Sequence, residues 1–273
     1  FPEEEMNNLI HKANLGGVLG NKHASGEEII NEYGEDHLNT GNPIVYTSAD
    51  SVLQIAAHEQ VFGLDRLYKT CSIAAEIFYD LRVQRIIARP FLGENKEEFY
   101  RTKNRKDFLI PPPIDTLCDR VIKSGKKCFG VGKISDIFGH RGISESVSGM
   151  SDDKLFDEML DIILKANAGD LIFANFVEFD TLYGHRRDLS GYARALESFD
   201  KKLPKLFSIL NKDDFLVITA DHGNDPSFAG TDHTREQVPV LIKNHNVINK
   251  CYGLINFSDI GSLLETFLGL EKY

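Results

Sequence analysis

Val217-Ile218-Thr219-Ala220-Asp221-His222-Gly223-Asn224-Asp225 is the stretch on which the reading of this chain turns. An apolar, β-rich run from Phe215 to Ala220 stops abruptly in Asp-His-Gly-Asn-Asp. That pattern predicts a buried strand emptying into a polar loop. In open α/β sheets, ligands bind outside the carboxyl ends of strands. An Asp beside a neutral imidazole at such an end pairs a hard with a borderline metal ligand. Gly223 lets the backbone turn sharply behind them. Downstream, Gly230-Thr231-Asp232-His233-Thr234-Arg235-Glu236 offers another imidazole. Upstream, the strand-like run Leu171–Phe179 ends in Asp180-Thr181-Leu182-Tyr183-Gly184-His185. The expectation is that two strands deliver Asp plus His to one sheet edge, and that a loop adds a third His.

An isolated Asp-His is more often a capping Asp beside a core His. Its repetition at a matching strand end shifts the balance to metal binding. Carboxylates and imidazoles without thiolate suit Mn, Zn, Fe or Mg rather than Cu(I). Asp180, His185, Asp221, His222 and His233 together exceed one tetrahedral set, which points to a two-metal site. Such sites clamp the attacking and leaving oxygens in phosphoryl transfer.

Around this stretch, 273 residues suffice for a large core and two domains. A net charge of −10 argues against a nucleic-acid partner. The four cysteines, Cys71, Cys118, Cys128 and Cys251, form no CxxC pair and read as free thiols of a reducing cytosol. No apolar run approaches the ~20 residues of a membrane span, and there is no signal-peptide pattern. The expected location is cytoplasmic.

Taken in order, residues 1–15 predict a short helix stopped by Gly16-Gly17, and Val18–Gly26 a strand running into a loop. Glu27–Tyr33 predicts a helix stopped at Gly34. Pro43–Val52 predicts a strand, Ser51–His58 and Leu64–Leu81 helices, and Gln84–Pro90 a strand. Glu94–Asp107 is densely charged and reads as a solvated loop or hairpin. Pro111-Pro112-Pro113 is stiff and extended, suited to a linker. Beyond it, helices (Thr116–Lys123, Lys154–Ala166, Leu189–Ile209, Ser258–Leu268) alternate with strands (Lys127–Val131, Asp170–Phe179, Phe215–Ala220, Val238–Lys243). The expected fold class is α/β: a doubly wound, mainly parallel core sheet in residues 109–273, with a smaller α+β domain in residues 1–108.

Other polar residues are more ambiguous. Lys133 follows the strand directly in Gly130-Val131-Gly132-Lys133-Ile134-Ser135-Asp136, and is as consistent with a solvated lysine as with a phosphate or sugar contact. The loop is not a Walker A sequence. Arg186 and Arg187 read as a solvated pair, with one of them orienting a ligand or meeting a phosphate as the alternative. Asp50 reads as a helix cap. His11, His37, His58, His140 and His245 read as surface or core histidines.

Three motifs, Asp180-Thr-Leu-Tyr-Gly-His185-Arg-Arg-Asp188, Thr219-Ala-Asp-His-Gly-Asn-Asp-Pro226 and Gly230-Thr-Asp-His-Thr-Arg-Glu236, resemble the metal-binding motifs of the phosphopentomutases, a family of the alkaline phosphatase superfamily. Gly20–Gly26, Ile44–Val52 and Arg85-Ile-Ile-Ala-Arg-Pro90 resemble that family's cap domain, and Gly132–Phe138 the return to its core. The likeness runs from end to end. His23 and Ala229 stand where proline is usual in the family, and neither is a ligand position.

The resemblance implies a core of alkaline-phosphatase type under an α+β cap. It implies two Mn2+ ions, one held by Asp180, His185 and His233 and the other by Asp221 and His222. Asp50, Arg85, Arg101 and Lys133 would contact the pentose phosphate. The implied reaction interconverts ribose 1-phosphate, or its 2-deoxy form, with the 5-phosphate through a phosphothreonine and a 1,5-bisphosphate. By the same resemblance a further metal-binding Asp and the nucleophilic Thr lie upstream of Phe1, in an N-terminal segment of the same protein. The chain as given is then expected to be inactive. Two other readings stand beside it: a non-catalytic metal- and sugar-phosphate-binding fragment, and a sibling metal-dependent phosphohydrolase or phosphoglycerate mutase. The cap motifs count against the sibling enzyme.

Overall fold

The computed structural model describes residues 1–47, 52–79, 81, 83, 85–244 and 251–270. Asp50 and His245 therefore lie outside the described residues. The chain divides into two units: Phe1–Pro113 with Ile137–Gly139, and Ile114–Asp136 with His140–Tyr273.

The first unit contains α1 (Glu3–Lys12), β1 (Leu19–His23), α2 (Gly26–Thr40), β2 (Ile44–Thr47), β3 (Val52–His58), α3 (Leu64–Ile77), β4 (Arg85–Leu92), β5 (Tyr100–Arg101) and β6 (Lys106–Leu109). The sheet order is β1-β2-β3-β4-β5, with β6 also pairing β4. β3 corrects the helix expected over Ser51–His58. All seven of its residues are buried, between antiparallel β2 and parallel β4. Leu53, Ile55 and Ala57 face the cluster built with α1 and α3, whereas Ala56 joins the α2 cluster with Ile44, Tyr46 and Phe91. A strand covered on both faces loses the apolar–polar alternation that would identify it. Its continuous apolar run cannot be told from a buried helix by period.

α2 also overruns its predicted stop. It begins at Ser25, whose hydroxyl accepts the Glu28 N–H, and ends at Gly41, in the left-handed region at φ 70. Gly34 is buried within it because a Cβ there would overlap the Phe99 ring. That glycine serves close packing, not termination. The charged stretch after β4 is a hairpin-like return: β5 and β6 both pair antiparallel with β4.

The second unit contains α4 (Leu117–Lys123), β7 (Cys128–Gly132), α5 (Ile134–Ile137, its end in the first unit), β8 (Glu145–Val147), α6 (Asp152–Lys165), β9 (Leu171–Asn175), α7 (Leu189–Ile209), β10 (Leu216–Ile218), β11 (Leu241–Lys243) and α8 (Phe257–Leu268). β8-β7-β9 form a parallel sheet. α6 and α7 pack on it through Leu155, Phe156, Met159, Leu160 and Leu206, with Phe199 and Leu203 alongside. The parallel α/β class is as expected, but the strand pairing differs in one respect. Among the described residues β10 pairs antiparallel with β11 and joins no ladder with β9. No helix separates β10 from β11, and parallel neighbours need a crossover, usually helical. The return is therefore antiparallel. β9 and β10 do not end at one shared sheet edge; what draws their loops together is described below.

All four cysteines are free thiols, three of them buried. No helix among the described residues is long and apolar enough to cross a membrane.

Candidate metal centre and anion cleft

β9 runs into a π-helical turn, Phe179–Gly184. The His185 N–H donates to the Asp180 carbonyl at 2.9 Å, closing that wider turn. Such turns occur often at functional sites. Here it stacks the two side chains, with His185 Nε2 3.1 Å from Asp180 Oδ2. Gly184 has no room for a side chain, because a Cβ would overlap the Asn224 amide. Asn224 is thereby brought in, and its Nδ2 donates to Asp180 Oδ1 at 2.5 Å.

The loop after β10 is tied to the His233 loop by the backbone. Gly223 and Thr234 form a bridge, with Thr234 N–H on the Gly223 carbonyl at 3.0 Å. The Asp225 N–H donates to Thr234 Oγ1 at 2.6 Å. A Cβ on Gly223 would come within 2.6 Å of Glu236 Oε2 and 2.9 Å of the Thr234 carbonyl. These ties lay the His222 ring on the His233 ring, centroids 3.7 Å apart at 18°, and the His185 ring also stacks on His233 at 4.8 Å. Asp180, His222 and His233 each offer a ligand atom, and those atoms lie within 4.8 Å of one another. Asp180 Oδ1 is 3.4 Å from His233 Nε2.

The donor chemistry fits a cation. His185 Nδ1 is 2.5 Å from the Thr231 carbonyl, and His222 Nδ1 is 3.2 Å from the Gly223 carbonyl. A carbonyl only accepts, so both Nδ1 atoms carry the proton. That leaves Nε2 as the ring atom available to a cation, in His185 beside the Asp180 carboxylate. Metal-ligating histidines usually donate their second ring N–H to a carbonyl or carboxylate in this way. Asp221 stands at the margin: its exposed carboxylate is 3.7 Å from His222 Nε2. Lys133 is exposed at the carboxyl end of β7, where Gly132 pairs Asn175 at the end of β9.

Of the expected substrate residues in the first unit, Arg101 lines a cleft of about 360 Å³ with Ser25, Gly26, Glu27, Gln54 and Arg89. Arg85 is engaged by Asp107 at 3.2 Å, and Arg105 holds the same carboxylate through two bonds of 2.7 Å. Burial raises the Asp107 pKa, but Arg105 and Arg85 outweigh it and hold Asp107 below the usual carboxylate range. Arg89 Nε and the Tyr46 hydroxyl both donate to Gln54 Oε1, at 2.8 and 3.1 Å. Burial and the neighbouring Arg105 push the Arg89 pKa down. Burial pushes the Tyr46 phenol up, against the pull of Arg101, Arg89 and Arg105. No carboxylate among the described residues pairs with Arg89 or Arg101.

Sequence reasoning gave no role to Arg89, Gln54 or Asn224, and left Arg187 between a solvated arginine and one that orients a ligand or meets a phosphate. Arg89 had a signal: it lies four residues from Arg85 on one strand, hence on the same face. Arg187 does not behave as a solvated arginine; its guanidinium bonds to acceptors of the chain itself. Arg186 is exposed.

Comparison with known proteins gives a consistent answer. The model of a family described as the Metalloenzyme superfamily matches residues 126–272. A protein of Chromohalobacter salexigens named Phosphopentomutase is 52% identical over 276 residues, 99% of this chain and 66% of its own length. One of the same name from Chelativorans sp. is 51% identical over 271 residues, again 99% and 66%. One from Legionella pneumophila (strain Philadelphia 1) is 50% identical over 273 residues, 100% and 67%. The chain thus spans about two thirds of the length of these relatives.

Proposed function

The chain belongs to the phosphopentomutase family, within the metalloenzyme superfamily, and on that premise we propose that the complete protein is a phosphopentomutase. It interconverts ribose 1-phosphate, or the 2-deoxy sugar phosphate, with the 5-phosphate through a phosphothreonine and a 1,5-bisphosphate. The observation that carries the proposal is the convergence of Asp180, His222 and His233, with His185 stacked on Asp180 and His233. In this reading Asp180, His185 and His233 hold one Mn2+, and Asp221 and His222 take part in holding a second. Bound there, the metals supply charge neutralisation for a transferring phosphoryl group.

The remaining work falls to the chain's own residues. Arg101 and Arg89 bind the anionic end of the pentose phosphate in the cleft they line. Asp50, Arg85 and Lys133 remain assigned to the substrate by family resemblance. The phosphoryl-carrying threonine is assigned to sequence of the complete protein outside the matched two thirds. The threonines nearest the metal ligands are committed locally: Thr181 donates to the Val177 carbonyl, and Thr234 accepts from Asp225 N–H. The same outside sequence would cover apolar side chains such as Phe173 on β9 and Leu241 on β11, exposed at 38% and 59%. The proposed setting is the cytoplasm, without nucleic-acid or membrane partners; buried free thiols and an acidic chain suit it.

The test is conversion of ribose 1-phosphate to ribose 5-phosphate by the complete protein, before and after removal of divalent metal. Chelation is expected to abolish turnover and Mn2+ to restore it. Asp180→Ala is expected to abolish it outright. Undiminished isomerisation in the Asp180→Ala protein would sink the assignment, and activity on phosphoglycerate in place of pentose phosphate would favour a sibling enzyme.

A further inference from the structure

We propose that Arg187 is a positioning residue that assembles the metal centre by pinning three loops to one guanidinium. The inference rests on the metal-binding reading above.

Arg187 lies two residues beyond His185 and directly before Asp188, the N-cap of α7. Its Nε donates to the Gly230 carbonyl at 2.6 Å. One terminal nitrogen donates to the Gly184 carbonyl at 2.9 Å, the Asn224 side-chain oxygen at 2.7 Å and the Asp225 carbonyl at 3.2 Å. The other donates to the Asp232 carbonyl at 2.7 Å. These acceptors belong to the three segments that carry the ligands. Gly184 adjoins His185, Asn224 and Asp225 follow His222, and Gly230 and Asp232 lead into His233.

Asn224 adds a direct path to the centre. Arg187 fixes its amide by occupying the oxygen, so the nitrogen points at Asp180 Oδ1. Asn224 is itself only 8% exposed, so its amide has little access to water. The backbone at Arg187 is left-handed, φ 55. That conformation is costly for a non-glycine residue and persists where surrounding contacts over-determine it. Five contacts from a planar fork do so here. An ammonium is a point charge with three donors and no fixed plane, so lysine cannot span the same acceptors.

The sign of the effect separates this role from a purely electrostatic one. A fixed positive charge near bound cations repels them. If Arg187 acted by charge alone, removing it would tighten metal binding. As a staple, removing it loosens three ligand loops at once and weakens binding. Partners that orient metal ligands typically account for ~10- to 100-fold in metal affinity.

The experiment is Mn2+ titration of the complete protein, followed by electron paramagnetic resonance of free Mn2+, for wild type, Arg187→Lys, Arg187→Met and Asn224→Ala. Thermal unfolding of each metal-free protein runs in parallel. Both arginine variants are expected to bind Mn2+ about 10- to 100-fold more weakly, with Arg187→Lys giving no rescue. Asn224→Ala, which leaves the four carbonyl contacts, is expected to lose less. Metal-free melting should move little in Arg187→Lys. Unchanged or tighter Mn2+ binding in Arg187→Lys overturns the inference while leaving the metal centre standing. Weaker binding that merely tracks a general loss of metal-free stability across the variants also overturns it. If the wild-type protein binds no Mn2+, the metal reading and this inference fall together.

Discussion

Replacing Arg89 by methionine tests whether the cleft in the first unit is an anion site. Methionine keeps most of the aliphatic stem but removes the guanidinium. Arg89 and Arg101 line the cleft with no carboxylate paired to either among the described residues, whereas Arg85 and Arg105 share Asp107. An arginine that is partly desolvated and set beside like charges does not contribute its charge to folding stability. Its loss removes one bond to Gln54, and Gln54 Oε1 keeps the Tyr46 hydroxyl. That bond has a charged donor, and such bonds contribute about 1.5–3 kcal/mol, offset in part by relief of burial and repulsion. The expected stability change is a loss of about 1–2 kcal/mol, or ~2–8 °C in melting temperature for a protein of this size.

Binding is affected differently. A hydrogen bond between guanidinium and phosphate is charge-assisted, and such bonds contribute about 1.5–3 kcal/mol. At ~1.4 kcal/mol per tenfold, KM for the pentose phosphate should rise about 10- to 150-fold in Arg89→Met. The assay is steady-state isomerisation by the complete protein, with Arg85→Met as the comparison. Arg85 already has Asp107 for a partner, so its loss should raise KM by much less. An unchanged KM in Arg89→Met would refute the argument. So would an Arg85→Met effect equal to it, because the lack of a paired carboxylate among the described residues would then not be what marks the site.

Other expectations follow from the same structure. His37 is fully buried; its Nδ1–H donates to the Asn42 carbonyl, and its Nε2 accepts the His58 N–H. Burial pushes its pKa below the ordinary value, assisted by His58 and opposed by the Asn42 carbonyl. The folded value is below the unfolded one, so this stability is full above about pH 6.5 and is lost as pH falls through the folded value. Denaturant midpoints measured from pH 7.5 down to 5 should fall, and should fall less steeply in His37→Gln; equal slopes would remove His37 as the cause. Asp119 shares a capping box with Thr116 and takes Arg141 on both oxygens, at 2.9 and 3.0 Å. Burial raises its pKa, yet Arg141 and Thr116 together hold it at about 2. That contribution is present above the unfolded carboxylate value and lost as pH falls through about 2. Arg141→Leu should therefore move acid unfolding, followed by circular dichroism, to higher pH. Gly34→Ala should destabilise by about 1–3 kcal/mol through overpacking, despite alanine's better helix propensity, and Phe99→Leu should recover part of the loss. A neutral Gly34→Ala in thermal unfolding would show that the Phe99 ring yields freely.

How far the chain can be read without its structure depends on what kind of fact is asked. α7 was legible to the residue because apolar residues such as Phe199 and Leu203 repeat at helical spacing on one face. β3 was not, because burial on both faces removes the period that carries the information. Gly34 was misread for a related reason: a glycine that ends a helix and one that admits an aromatic ring look alike until the ring is placed. Strand existence was readable at Leu216–Ile218 and Leu241–Lys243, but their pairing was not, since pairing is set by where the chain returns.

The candidate centre divides along the same line. Asp180, His185, His222 and His233, which the structure draws together, could be picked out because their residue types are scarce and chemically specific, and all but His233 lie in loops just past an apolar run; Asp221 stays at the margin. The role proposed for them is carried by their own atoms. Arg187 and Asn224 were quoted within the same motifs and still gave no signal, because what they do is defined by partners some 40 residues away in sequence. Arg187 was weighed as half of a solvated pair, with orienting a ligand or meeting a phosphate as the alternatives, and the local pattern did not decide among them. Only the positions of five acceptors show that its guanidinium is turned to the chain itself. Ligands can thus be proposed from local pattern, but the groups that hold them at the right distance belong to the tertiary structure. In this protein they are what compensates for β9 and β10 lying in separate sheets: side-chain and loop hydrogen bonds, not a common strand edge, bring Asp180 to His222.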